Sequence, residues 1–112
     1  MREINIESGH PDVLTAMNRL KNGLYASRAS GVRAVKIIHG YGSTGKGGAI
    51  KMAALKELRM LKTQRMIIDF CAGEKFGPFS EEGRRLVARD PSLKADKDFA
   101  RSNDGITIVV FK

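Results

Sequence analysis

The sequence predicts an α/β fold, a two-layer sandwich of β-α-β-α-β-β order with a mostly parallel four-stranded sheet. Three observations lead there. Short, β-rich apolar segments alternate with stretches of helical periodicity. A glycine-rich loop joins the second strand to the second helix, as in many α/β units. The chain has 112 residues, 42% hydrophobic and 29% charged. That suffices for one domain over residues 1–112 and leaves no room for two.

The elements follow in order. Ile4-Asn5-Ile6 reads as a first strand, ended by Ser8-Gly9. His10-Pro11-Asp12 opens a helix, with Pro11 suited to the first turn, where a missing N–H costs nothing. Val13, Leu14, Met17, Leu20 and Leu24 recur at helical spacing, and the helix fades by Ser27–Gly31. Ala34–Ile38 is the second strand, apolar enough to be covered on both faces. After the loop His39–Gly48 a second helix runs from about Ala49 to Leu61. Ile50, Ala53, Ala54, Leu58 and Leu61 share its inner face, while Lys51, Arg59 and Lys62 point away. Arg65–Phe70 reads as a third strand and Ile106–Phe111 as a fourth, after the turn Asn103-Asp104-Gly105. Between them lies an irregular insert, about 71–102, with a short helix from Ser80 to Arg89. Ser80 is its expected cap, and Glu81 and Glu82 suit its positive end. Helix-linked strands imply parallel pairing with right-handed crossovers.

Charge narrows the function. The chain carries 20 Lys+Arg against 12 Asp+Glu. Residues 33–65 hold eight bases and one acid, Glu57, a net +7, whereas the two flanking segments are nearly balanced. Clustered positive charge is the electrostatic footprint of a polyanion binder; a solvated helix face is the bland alternative. No apolar run approaches the ~20 residues that span a bilayer, and the first residues show no signal-peptide pattern. Cys71, the one cysteine, cannot form an internal disulfide. A cytoplasmic protein without membrane association is expected.

The loop reads His39-Gly40-Tyr41-Gly42-Ser43-Thr44-Gly45-Lys46-Gly47-Gly48. Five glycines in ten residues let the backbone approach a ligand closely and take positive φ. The loop leads into a helix N-terminus, whose free N–H groups and dipole favour anions, and Lys46 adds a cation. Phosphate is the expected occupant, held by Gly40, Gly42, Ser43, Thr44, Gly45, Lys46 and Gly47. Gly40–Gly45 also spells the G-x-G-x-x-G dinucleotide fingerprint, but position 65, where the ribose-binding acid belongs, is Arg. Gly40 to Lys46 matches a P-loop until Gly47 replaces the magnesium-binding Ser or Thr. A nucleotide-binding protein with a degenerate P-loop is therefore a remote alternative.

Val35-Lys36-Ile37-Ile38-His39-Gly40-Tyr41-Gly42, with the helix that follows, resembles the small MutS-related (Smr) domain. That family has an apolar strand, an H-G-x-G-x-G loop and a helix just after it. Residues 4–13 sit where the family has its first strand and helix, and Asp104–Val110 looks like its glycine-led last strand. The resemblance covers residues 1–70 and 103–112. It implies a two-layer fold similar to the C-terminal domain of the third translation initiation factor, with DNA or RNA as ligand. Some members nick nucleic acid with a divalent metal. Departures mark a divergent member. The usual D-L-H-G is Asn5-Ile6-Glu7-Ser8-Gly9 here, lacking the acid and the histidine in register. The loop has one extra residue between its second and third glycines, Gly47-Gly48 replaces Leu-Arg, and the insert is longer than the family's.

Two function classes follow. One is a binding module that grips sugar-phosphate backbone through the loop and through Lys51, Arg59 and Lys62. The other is a nicking endonuclease, using Mg²⁺ or Mn²⁺, with His39 as general acid or base. His39 has the competing role of orienting the loop through a backbone hydrogen bond. Glu7, His10 and Asp69 can replace the missing groups only where the fold brings them to His39. No residue spacing supports a structural metal.

Overall fold

The computed structural model describes residues 1–41 and 46–112, with the side chains of Lys46 and Gly47 outside that description. The elements are β1 (Arg2–Asn5), α1 (Val13–Ala29), β2 (Ala34–Ile38), α2 (Lys46–Thr63), β3 (Asp69–Ala72), α3 (Glu81–Arg89) and β4 (Ile106–Val110). Two 3₁₀ turns, Gly73–Lys75 and Pro91–Ala95, flank α3.

Local chemistry explains the helix ends. Asp12 caps α1 by accepting the Thr15 N–H at 2.8 Å, so Pro11 precedes the helix instead of lying in its first turn. At the other end Gly31 takes φ +76°, the Gly31 N–H bonds Arg28 O and the Val32 N–H bonds Ser27 O. This is a Schellman stop. α2 ends the same way, with the Arg65 N–H on Lys62 O and the Met66 N–H on Leu61 O. Here the left-handed position is Arg65 itself, φ 62°. The third strand therefore cannot begin at Arg65 as its β-rich neighbours suggest. Met66, Ile67 and Ile68 pack as an irregular bridge, and β3 starts at Asp69. Ser80 caps α3 by accepting the Gly83 N–H at 2.9 Å, as expected.

The sheet order is β1-β2-β4-β3. β1 pairs parallel with β2, but β4 lies antiparallel between β2 and β3. The expectation of a mostly parallel sheet is thus corrected to a mixed one. The helical crossovers do keep β1, β2 and β3 in one direction. The connection from β3 to β4 is different in kind: it leaves and returns at the same end of the sheet. Gly73 lies so close to Asn103 and Ile106 there that a Cβ would overlap their carbonyl oxygens. A chain that returns to its starting end must run back antiparallel.

The insert also covers the second face of the sheet. α1 and α2 pack Leu20, Leu24, Ile50, Ala54, Leu58 and Leu61 on Ile4, Val35, Ile37 and Val109. On the opposite face Phe76, Leu86 and Leu93 pack on Ala34, Cys71, Ile106, Ile108 and Val110. The sheet therefore lies between helices on both sides rather than forming half of a two-layer sandwich. Each fully buried leucine contributes about 1.5–3 kcal/mol. Val13 and Leu14, expected inward, are exposed, because the buried stripe of α1 is Ala16-Leu20-Leu24-Ser27. Burial pushes the Cys71 thiol up to about 12, with Glu82 and Asp69 adding to it, so it is an inert core residue.

Candidate functional site

The C-terminal ends of β1 and β2, the start of β4 and the turn Gly73–Lys75 meet at one end of the sheet. His39 follows β2 directly. Its N–H and that of Gly40 both donate to Gly105 O, at 3.1 and 3.0 Å, which ties the opening of the loop to the start of β4. The side chain of His39 points inward and is completely enclosed. Nδ1 lies 3.0 Å from Gly40 O and Nε2 lies 2.9 Å from Thr107 Oγ1. A carbonyl can only accept, which assigns the proton to Nδ1; the neutral ring then accepts the Thr107 hydroxyl at Nε2. Burial drives the imidazole below its ordinary value. The Gly40 carbonyl opposes this, Lys51 reinforces it, and Glu74 and Glu7 oppose it more weakly.

The sign of that shift gives a stability prediction. An enclosed imidazole that resists protonation supports the fold at neutral pH. That support is lost as pH falls from about 6.5, the unfolded value, through the lower folded one. Urea unfolding between about pH 7 and 5 should show falling stability in the wild type and a flatter profile in His39→Gln.

Other sequence-selected residues divide into those at this end and those elsewhere. Glu7 comes close: its carboxylate lies against Gly40, in the space a Cβ there would need. Asn5 Oδ1 holds the turn behind it by accepting the Glu7 and Ser8 N–H groups at 3.0 and 2.9 Å. Gly40 has φ +81°, a conformation that only glycine takes without strain. His10 is exposed and joined to Glu7 through its backbone N–H, with φ 53°. Asp69 does not come to His39. It pairs in register with Val110, three residues along β4 from Thr107, on the order of 10 Å away.

Lys51 does not stand free. Its Nζ donates to Glu74 Oε2 at 2.6 Å and to Asp104 O at 2.9 Å, bracing α2 against the turn after β3. Partial burial alone would raise the Glu74 carboxyl, but the Lys51 ammonium holds it below the usual range. Arg59 is exposed, and Lys62 donates to Asp69 at 3.0 Å. Gly42, Ser43, Thr44 and Gly45 lie outside the described residues, as do the side chains of Lys46 and Gly47.

Sequence reasoning missed Thr107, Glu74 and Tyr41. Thr107 had a signal: it is the one polar residue in the strand Ile106–Val110 and is fully buried. Tyr41 is 68% exposed, with its ring against Gly105 beside the loop. Among the described residues, no group of three or more His, Cys, Asp and Glu side chains is placed to hold a metal ion. No helix among them is long and apolar enough to cross a membrane.

Comparison with the curated proteins and with the solved structures finds no significant match. The family model described as the Smr domain does match, over residues 10–77, from just before α1 to just after the turn that follows β3. The match spans well over half the chain and contains the β2–loop–α2 unit, so the chain belongs to the Smr domain family, which is associated with nucleic-acid binding and nicking.

Proposed function

We propose that the chain binds the sugar-phosphate backbone of DNA or RNA through the loop His39–Gly48 and the exposed basic side of α2. The supporting observation is the placement of charge. The segment with a net +7 contains α2, the helix that begins as the loop ends. Lys56, Arg59, Lys62 and Arg65 are exposed along its length and after it. His39 acts in this reading as a positioning residue. Its Nδ1–H on the Gly40 carbonyl fixes the first turn of the loop while Thr107 occupies its other nitrogen.

Nicking is the second reading, favoured by one feature, the Glu7 carboxylate against Gly40 beside His39. It would place an acid near the loop, as the family's missing first-strand acid would. Catalysis by His39 would require the ring to give up its bond to Thr107 and reach solvent. Conversion of supercoiled DNA or structured RNA with Mg²⁺ or Mn²⁺ should therefore be absent or slow. Wild type and His39→Ala, purified side by side, decide it. Brisk metal-dependent cleavage lost in the variant would make this an endonuclease, since removing a proton-transfer group lowers rates by roughly 10²–10⁴.

The loop itself is tested by oligonucleotide binding to Gly42→Val, Gly45→Val and Lys46→Glu. Affinity should fall about tenfold or more at unchanged melting temperature. Variants that unfold at room temperature would show that the loop serves the fold and not the ligand.

A further inference from the structure

At the edge of the sheet, Arg59 and Lys62 of α2 are joined by two cations that the insert supplies, Lys75 and Arg85. α2 and α3 pack on opposite faces of the sheet, and where both meet its edge strand β3 an open groove of about 450 Å³ runs between their side chains. Its charged lining is Arg59 and Lys62 from α2, Asp69 from β3, Lys75 from the turn after it, and Glu82 and Arg85 from α3. Four bases face two acids.

Asp69 organises them. Its side chain is 8% exposed at the groove floor. Oδ1 accepts Lys62 Nζ at 3.0 Å and the Phe70 N–H at 2.9 Å, and Oδ2 accepts Arg85 Nε at 2.9 Å. Arg85 Nη2 approaches Oδ1 at 3.4 Å. Burial alone would raise this carboxyl, but Arg85 and then Lys62 hold it below the usual range. It is therefore ionised at neutral pH, yet one carboxylate balances only one of its two cations. Arg85 presents its Nε–Nη2 edge to Asp69, a pairing that does not use Nη1. The nearest other acid to Nη1 is the exposed Glu81, at 3.8 Å. A guanidinium already oriented by one carboxylate loses little entropy on taking up a phosphate.

We propose that this groove is a second backbone-phosphate subsite, built by the insert and separate from the glycine loop. The proposal rests on the reading of the chain as a nucleic-acid binder. It goes beyond the family match, because α3 lies outside the matched residues. Lys62 is sixteen residues along α2 from Lys46, which is about 24 Å at the helical rise. That corresponds to about seven base-pair steps, so one strand can engage both sites.

The test is fluorescence anisotropy with a single-stranded oligonucleotide of about 12 nucleotides, long enough to reach both sites, over a salt series. Arg85→Glu should weaken binding about tenfold and reduce the steepness of log K against log salt by about 0.7 per lost phosphate contact. Because Arg85 also pairs with Asp69, Lys75→Glu supplies an exposed variant expected to act in the same direction at unchanged melting temperature. Glu82→Gln, which removes an acid from the groove, should tighten binding. Wild-type affinity and salt slope in folded Arg85→Glu and Lys75→Glu would overturn the groove while leaving the loop reading intact. Absence of salt-dependent binding by the wild type would overturn both.

Discussion

Lys36→Met is expected to destabilise the fold by about 3–5 kcal/mol in urea unfolding at neutral pH, among the largest effects of any substitution in the chain. Lys36 is on β2, 2% exposed, with Nζ 2.6 Å from Asp98 and 2.8 Å from Asp96. Asp98 also accepts the Asn103 side chain at 2.9 Å. This ion cluster fastens the end of the insert to the second face of the sheet. Removing the ammonium leaves the buried Asp98 charge without its cation, and that loss dominates over the apolar gain from Met. Burial alone would raise the Asp98 carboxyl, but Asn103 and Lys36 hold it below the usual range. Its support for the wild type is present above ordinary carboxylate values and is lost as pH falls through the lower folded one. The gap between wild type and Lys36→Met should therefore narrow in acid. Adding Asp98→Asn should recover part of the loss, because the two positions are coupled. A gap below about 1 kcal/mol would show that the cluster does not hold the insert.

Gly83→Ala should act on the same face by another route. Gly83 lies on α3 where the helix rests on the backbone of Lys75–Gly77. An added Cβ would overlap the Gly77 carbonyl oxygen and come within 2.6 Å of Lys75 O. Backbone cannot step aside as the end of a long side chain can, so α3 must move outward. A loss of about 1–3 kcal/mol is expected. The displacement has its own reporter, since Leu86 of α3 belongs to the cluster that covers Cys71. In the wild type the Cys71 thiol, buried and pushed up to about 12, should react with a thiol reagent only as the protein unfolds. Gly83→Ala should react measurably faster under native conditions. Equal protection in the two proteins would mean that α3 tolerates the methyl group.

How much of this was legible in the sequence depends on how local each feature is. Periodicity locates α1 and α2, and α3 is legible from its Ser80 cap and first-turn acids, because capping is a contact between residues three apart. The start of β3 was not, because the left-handed stop at Arg65 uses a residue with no glycine signature. The antiparallel placement of β4 depends on the insert returning to its own starting end, a relation between Gly73 and Asn103 that periodicity does not carry. Lys36 was counted with the basic segment, yet the pleat turns it inward, toward Asp96 and Asp98 some sixty residues later. His39 stood out from its place before the glycines, but its partner Thr107 is 68 residues away. The insert looked irregular because its order comes from packing on the sheet and not from its own pattern.

The central claim is that the surface around the loop and α2 holds phosphate backbone, and the salt dependence of binding tests it most directly. Wild-type protein titrated onto labelled oligonucleotide across a salt series should give log K falling linearly with log salt, at about 0.7 per phosphate neutralised on a single strand and about 0.9 on a duplex. A slope of several units is the predicted result. Affinity that hardly changes with salt would contradict the account and reduce the basic side of α2 to a solvated helix face.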